Sequence, residues 1–203
     1  MLTDIQYRPM TINDVGKVPI DCQGEREVIT DRITDIGSSA ILAFDGTQHV
    51  GQVQFRKHSS SLKSPDGIWH PDYWGDFPEI QRDLPANTLG IFCYHVGQLS
   101  AGEERDEKYF GEGIGQALLN KLLTWATEQG FDAIVAKHTP ALRPVMSFMG
   151  GQSADVYEKW GFEVVTSWID EQLLEATKER GLAKAAHKVD DVASVGMCVK
   201  YLI

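Results

Sequence analysis

Cysteine is scarce in this chain of 203 residues: Cys22, Cys93 and Cys198 are far apart and fit no C-x-x-C or Cys/His ligand spacing. That leaves no basis for a disulfide framework or a zinc site, so reduced thiols in the cytoplasm are expected, with no metal. Long apolar runs are also missing. No stretch nears the roughly 18 uninterrupted apolar residues of a membrane span, and Asp4 and Arg8 interrupt the N-terminus before a signal-peptide apolar region can form. Basic residues are in deficit, with 19 Lys and Arg against 29 Asp and Glu and a formal charge of −10. Phosphate-backbone binding to nucleic acid is therefore not expected. The acidic excess can steer a cationic substrate or simply keep the protein soluble, and it names no ligand.

What is present suits a packed core: 42% of residues are hydrophobic, 24% charged, and the length fits one domain over residues 1–203. Residues 5–9 read as a strand, and Thr11 before Ile12-Asn13-Asp14 resembles a capped helix start. Ile29, Ile33 and Ile36 recur at helical spacing before Gly37, which predicts a helix over 25–36. Residues 40–44 and 50–55 flank the turn signal Asp45-Gly46-Thr47 and predict an antiparallel hairpin. Residues 57–89 break the pattern as an aromatic-rich insertion carrying Trp69, Tyr73, Trp74 and Phe77 among Asp72, Asp76 and Glu79. Aromatic walls with carboxylates suit a protonated amine, while a cover over the sheet or a contact with a second copy of the chain is the plainer reading.

Residues 89–96 resume as a buried strand, and Ile114, Leu118, Leu122, Trp125 and Ala126 form one stripe of a helix over 114–129. With a strand over 132–136 this makes a βαβ unit, so the two strands should be parallel neighbours. A short helix over 153–160, a strand over 162–168, a mostly helical stretch over 171–186 and a closing strand over 193–202 complete the order.

The helix over 114–129 starts at Gly111-Glu112-Gly113-Ile114-Gly115. Exposed amides at such a start bind anions, although glycines there also permit close packing. A Walker A loop is excluded because Gln116 and Ala117 follow Gly115, and a dinucleotide fingerprint lacks its third small residue at Gln116. Tyr109 to Leu119 after a strand ending at Val96 resembles the acetyl-CoA signature of the GCN5-related N-acetyltransferases. Val156-Tyr157-Glu158-Lys159-Trp160-Gly161-Phe162 is similar to that family's short helix and turn, in the expected order.

The resemblance covers most of the chain and implies an α/β fold. Its sheet is mixed and predominantly antiparallel, with a splayed parallel central pair and flanking helices. It further implies acetyl-CoA as co-substrate, with pantetheine in the splay and diphosphate on the amides of Gly111, Glu112, Gly113, Ile114, Gly115 and Gln116. The thioester carbonyl would lie near the strand end at Val96, Gly97 and Gln98, and Tyr157 near the CoA sulfur as general acid. The family usually has Arg or Gln where this chain has Phe110, and the positions that often supply its base hold Phe92 and Gly90. Strand alternation puts His95 with Cys93 and Ile91, facing away from Val96. The activity implied is acetyl transfer to a primary amine by direct attack, the acceptor being a small molecule before a protein. A non-catalytic acyl-CoA-binding module, a different acyl chain and an oxygen acceptor are the alternatives.

Overall fold

A computed structural model of the chain describes residues 4–19, 24–59, 83–100, 105–184 and 186–202. Strands β1 (Ile5–Pro9), β2 (Ala40–Asp45), β3 (Gln48–Lys57) and β4 (Thr88–Val96) pair antiparallel in sequence order. β5 (Ala133–Thr139) lies parallel to β4, and β8 (Ser194–Tyr201) and β7 (Glu163–Ile169) extend the sheet antiparallel beyond it. The two-residue β6 (Gln152–Ser153) pairs with β5. Helices α1 (Arg26–Ile36), α2 (Ile114–Glu128), α3 (Arg143–Met149), α4 (Ala154–Lys159), α5 (Glu171–Glu179) and α6 (Val189–Ala193) flank this sheet. The mixed, mostly antiparallel architecture with one parallel central pair is the one the family resemblance implies.

The stripe of α2 explains its place. Ile114, Leu118, Leu119, Leu122 and Ala126 are buried with Val53, Phe55 and Ile91 of the sheet, and the Trp125 ring lies 4.8 Å from that of Phe55. Each leucine buried in this way stabilises by about 1.5–3 kcal/mol, far more than helix propensity contributes. On the opposite face Ile29 of α1 packs with Met10, Ala40 and Leu42, because Ala40 and Leu42 alternate along β2 with Ile41 and Ala43 of the first cluster.

Three local expectations change. The start at Thr11 yields a single 3-10 turn over Ile12–Asp14, where the Asp14 carboxylate accepts from the Thr11 amide and hydroxyl and is clamped by Arg8 at 2.7 and 2.8 Å. The helical stretch from 171 stops at Glu179, and the short α6 precedes β8. In β4 the register slips: Gln54 faces Cys93 while Phe55 faces Ile91, leaving Phe92 as an extra residue. Ile91 and Tyr94 therefore share the α2-side core, whereas Phe92 and Cys93 join Val145 and Met149. Strict alternation, which grouped Ile91 with Cys93, fails at this bulge. The aromatic expectation from Trp69 to Phe77 lies outside the described residues.

Candidate active site

The parallel pair separates early. β4 and β5 are paired from Thr88 with Ala133 to Ile91 with Ala136, after which the edge of β5 at His138 and Thr139 is taken by β6. On the other side of the gap the Tyr94 N–H donates to the Gly150 carbonyl at 2.6 Å. Alternation turns the Val96 N–H to the same edge as that of Tyr94. The Gly97 amide is directed elsewhere, donating to Val50 at 2.7 Å, so it is not an open donor. Gly97 has φ +78° and a Cβ there would stand 2.6 Å from the Asp106 carbonyl, so only glycine fits. The Gln98 carbonyl accepts from His49 Nδ1 at 2.9 Å, and Gln98 is buried.

The glycine turn meets this strand end. Gly111 and Gly113 both have φ +78°, and a Cβ on either would meet nothing within 4 Å, so the space before the turn is open. Gly113 is the N-cap of α2 and no side chain caps the helix; the Ala117 N–H makes a bond back to Gly113 at 3.0 Å, leaving the amides of Ile114, Gly115 and Gln116 ahead of it. The Ile114 side chain is in the core, so this residue offers its amide alone, while Glu112 and Gln116 are exposed. A Cβ on Gly115 would lie 4.0 Å from Val96 Cγ2 and 3.1 Å from Gln152 Nε2. Sequence reasoning missed Arg143, whose guanidinium carbon stands 4.6 Å from the centre of the Phe110 ring. It is exposed and makes no ion pair among the described residues. No local signal ties it to Phe110, which lies in the turn before α2.

Tyr157 lines a narrow pocket at the separation of β4 and β5, together with Ile91, Phe92, Tyr94, Lys137 and Gly150. It is buried, and burial pushes its phenol well above the ordinary value, with the neighbouring Tyr94 phenol opposing ionisation further. Burial raises Tyr94 as well, against a smaller opposing effect of the Tyr157 hydroxyl beside it. Tyr157 is thus held as a neutral hydrogen-bond donor. His95 is buried with both ring nitrogens engaged: Arg105 donates to Nδ1 at 3.0 Å, which places the proton on Nε2, 3.0 Å from Cys93 Sγ. It has no lone pair to offer a substrate. Lys137 in the pocket pairs with Asp170 at 3.3 Å.

Residues 20–162 match the acetyltransferase (GNAT) family. No curated protein matches the chain in sequence. Among solved structures, an N-acetyltransferase from Staphylococcus aureus Mu50 is similar with a TM-score of 0.55 at 12% identity, over 99% of this chain and 100% of its own. The yncA protein of Salmonella typhimurium, solved with its cofactor acetyl-CoA, gives 0.54 at 12% identity over 99% and 95%. GphF, a GNAT-like decarboxylase in complex with isobutyryl-CoA, gives 0.52 at 12% identity over 98% and 100%. Likeness at such identity speaks for the fold.

Proposed function

The chain belongs to the acetyltransferase (GNAT) family, and on that premise we propose that it transfers an acetyl group from acetyl-CoA to a primary amine of a small molecule in the cytoplasm. The observation that carries this reading is the meeting of an uncapped helix start with the end of a diverging strand, a Cβ built on Gly115 reaching 4.0 Å from Val96 Cγ2. The diphosphate takes the amides of Ile114, Gly115 and Gln116, where hydrogen bonds and the helix dipole act together. Arg143 on Phe110 adds a cation beside the turn. Pantetheine follows β4, and the acyl carbonyl lies against the strand edge at the Val96 amide, the Tyr94 amide on that edge being held by Gly150 and that of Gly97 by Val50.

The amine nitrogen attacks the acyl carbon, charge develops on the carbonyl oxygen toward the Val96 amide, and the carbon–sulfur bond breaks. The Tyr157 hydroxyl donates a hydrogen bond to the departing sulfur, which leaves as the CoA thiolate and takes its proton from water. Among the described residues no carboxylate lines the pocket, and the amine proton passes to water. This differs from a protein-held base, which the strand does not offer at Phe92. Ile91, Phe92 and Met149 give the pocket apolar walls, and a different acyl chain on CoA is the second reading. Turnover of acetyl-, propionyl- and isobutyryl-CoA against a panel of amines and alcohols tests both. Acetyl-CoA-dependent acetylation of an amine is the expected result, and CoA binding without release of free thiol with any acceptor would reduce the chain to a binding module.

A further inference from the structure

The gap between β4 and β5 is filled by the chain itself. Residues 150–153 enter it between α3 and α4: Gln152 and Ser153 pair with His138 and Thr139 of β5, and the Gly150 carbonyl takes the Tyr94 amide at 2.6 Å. The fit is close on both sides. A Cβ on Gly150 would stand 2.5 Å from Cys93 Sγ on β4, and one on Gly151 2.3 Å from Thr139 Cγ2 on β5. Gly150 also has φ +58°, a conformation that L side chains rarely adopt.

We propose that residues 150–153 are an internal wedge that competes with the pantetheine arm, so that CoA binds only as the wedge leaves the strand gap. The inference rests on the reading of the glycine turn and diverging strands as the CoA site. The Tyr94 amide is one hydrogen-bond donor, and the Gly150 carbonyl and a pantetheine or acyl carbonyl cannot both occupy it head-on. Apparent affinity is lowered by the fraction of molecules in which the wedge is seated. Replacement of a small residue at the tight points should unseat it, with α3 left in place by Val145 and Met149 in their apolar cluster.

The test is hydrogen exchange with mass spectrometry on the full chain, with and without CoA, together with calorimetry of Gly150→Ala and Gly151→Ala. CoA should slow exchange over residues 111–118 and speed it over 148–153. Each variant should bind CoA about fivefold to tenfold more tightly, the worth of roughly one hydrogen bond and its surroundings. Slower exchange over both segments, or affinity unchanged or weakened in folded variants, would overturn the wedge and make these residues a wall of the site. If CoA leaves residues 111–118 unprotected in the wild type and in both variants, the CoA site itself is misplaced and the wedge falls with it. Should a variant fail to fold, the exchange pattern of the wild type decides alone.

Discussion

At the scale of single residues the pocket is a study in held protons. Burial raises both Tyr157 and Tyr94, and the Tyr94 phenol raises Tyr157 further, so neither loses its proton in the range where enzymes are assayed. Tyr157→Phe keeps the ring that packs 5.1 Å from Phe162 and removes the donor. Turnover should fall about tenfold or more with CoA affinity nearly constant, and single-turnover kinetics with calorimetry checks both. Full turnover when chemistry is rate-limiting would make the hydroxyl structural. The raised phenol also means that Tyr157 adds no loss of rate on the alkaline side below about pH 10. Arg143 makes a separate prediction: Arg143→Ala should weaken CoA binding about fivefold to tenfold, most at low salt, and Arg143→Lys should restore part of it. An affinity independent of this residue would leave it a surface cation resting on Phe110. The sequence made Tyr157 readable because its neighbours Gly161 and Phe162 follow in a fixed local pattern. Arg143 and Phe110 lie 33 positions apart, and contact at that distance in sequence has no local mark.

At the scale of elements, legibility follows period. The apolar stripe and bordering glycines of α2 are strong local signals, and the helix runs Ile114–Glu128 against an expected 114–129. Residues 137–152 have no period, so α3 and β6 escape notice; the seat of β6 is fixed by pairing with β5 and by the bond from Tyr94, which is long-range chemistry. The bulge at Phe92 was hidden for the same reason, since it depends on how β3 and β4 register. The glycine turn can be probed without disturbing α2 if the right position is chosen. Gly113 has φ +78°, so a valine there strains the backbone whether or not a ligand binds. Gly115 has no such constraint, and the atom its Cβ would approach at 3.1 Å is the flexible end of Gln152. Gly115→Val should therefore fold with a melting temperature close to wild type and lose CoA affinity by tenfold or more. Calorimetry showing wild-type affinity in the folded variant would remove the diphosphate from the turn.

At the scale of the whole molecule, stability should depend on pH through groups that do not line the Tyr157 pocket. His49 is buried, its Nδ1 bonded to the Gln98 carbonyl at 2.9 Å and its Nε2 without a partner among the described residues. Burial lowers its pKa to about 4 from an ordinary 6.5. Above pH 6.5 neither folded nor unfolded chain protonates it. Between 6.5 and 4 the unfolded chain takes up a proton that the folded one refuses, so stability falls on acidification, by an amount on the order of 3 kcal/mol across the window. His58 and His138, also lowered by burial, act in the same sense. Asp14 follows at lower pH: the hydrogen bonds from Arg8 lower its pKa to about 2 from 3.8, so its contribution is complete above 3.8 and is lost as pH drops toward 2. Urea unfolding at pH 7, 5.5 and 4.5 should show a midpoint that declines steadily. His49→Gln should be less stable at pH 7, because it loses a buried ring, yet show a shallower decline, with the remaining slope belonging to His58 and His138. Because His49 also holds the carbonyl of Gln98 just past the end of β4, the same variant links the acid response to the strand end that faces the glycine turn. A decline of equal steepness in wild type and His49→Gln would mean that this imidazole is not the group that the unfolded chain protonates first.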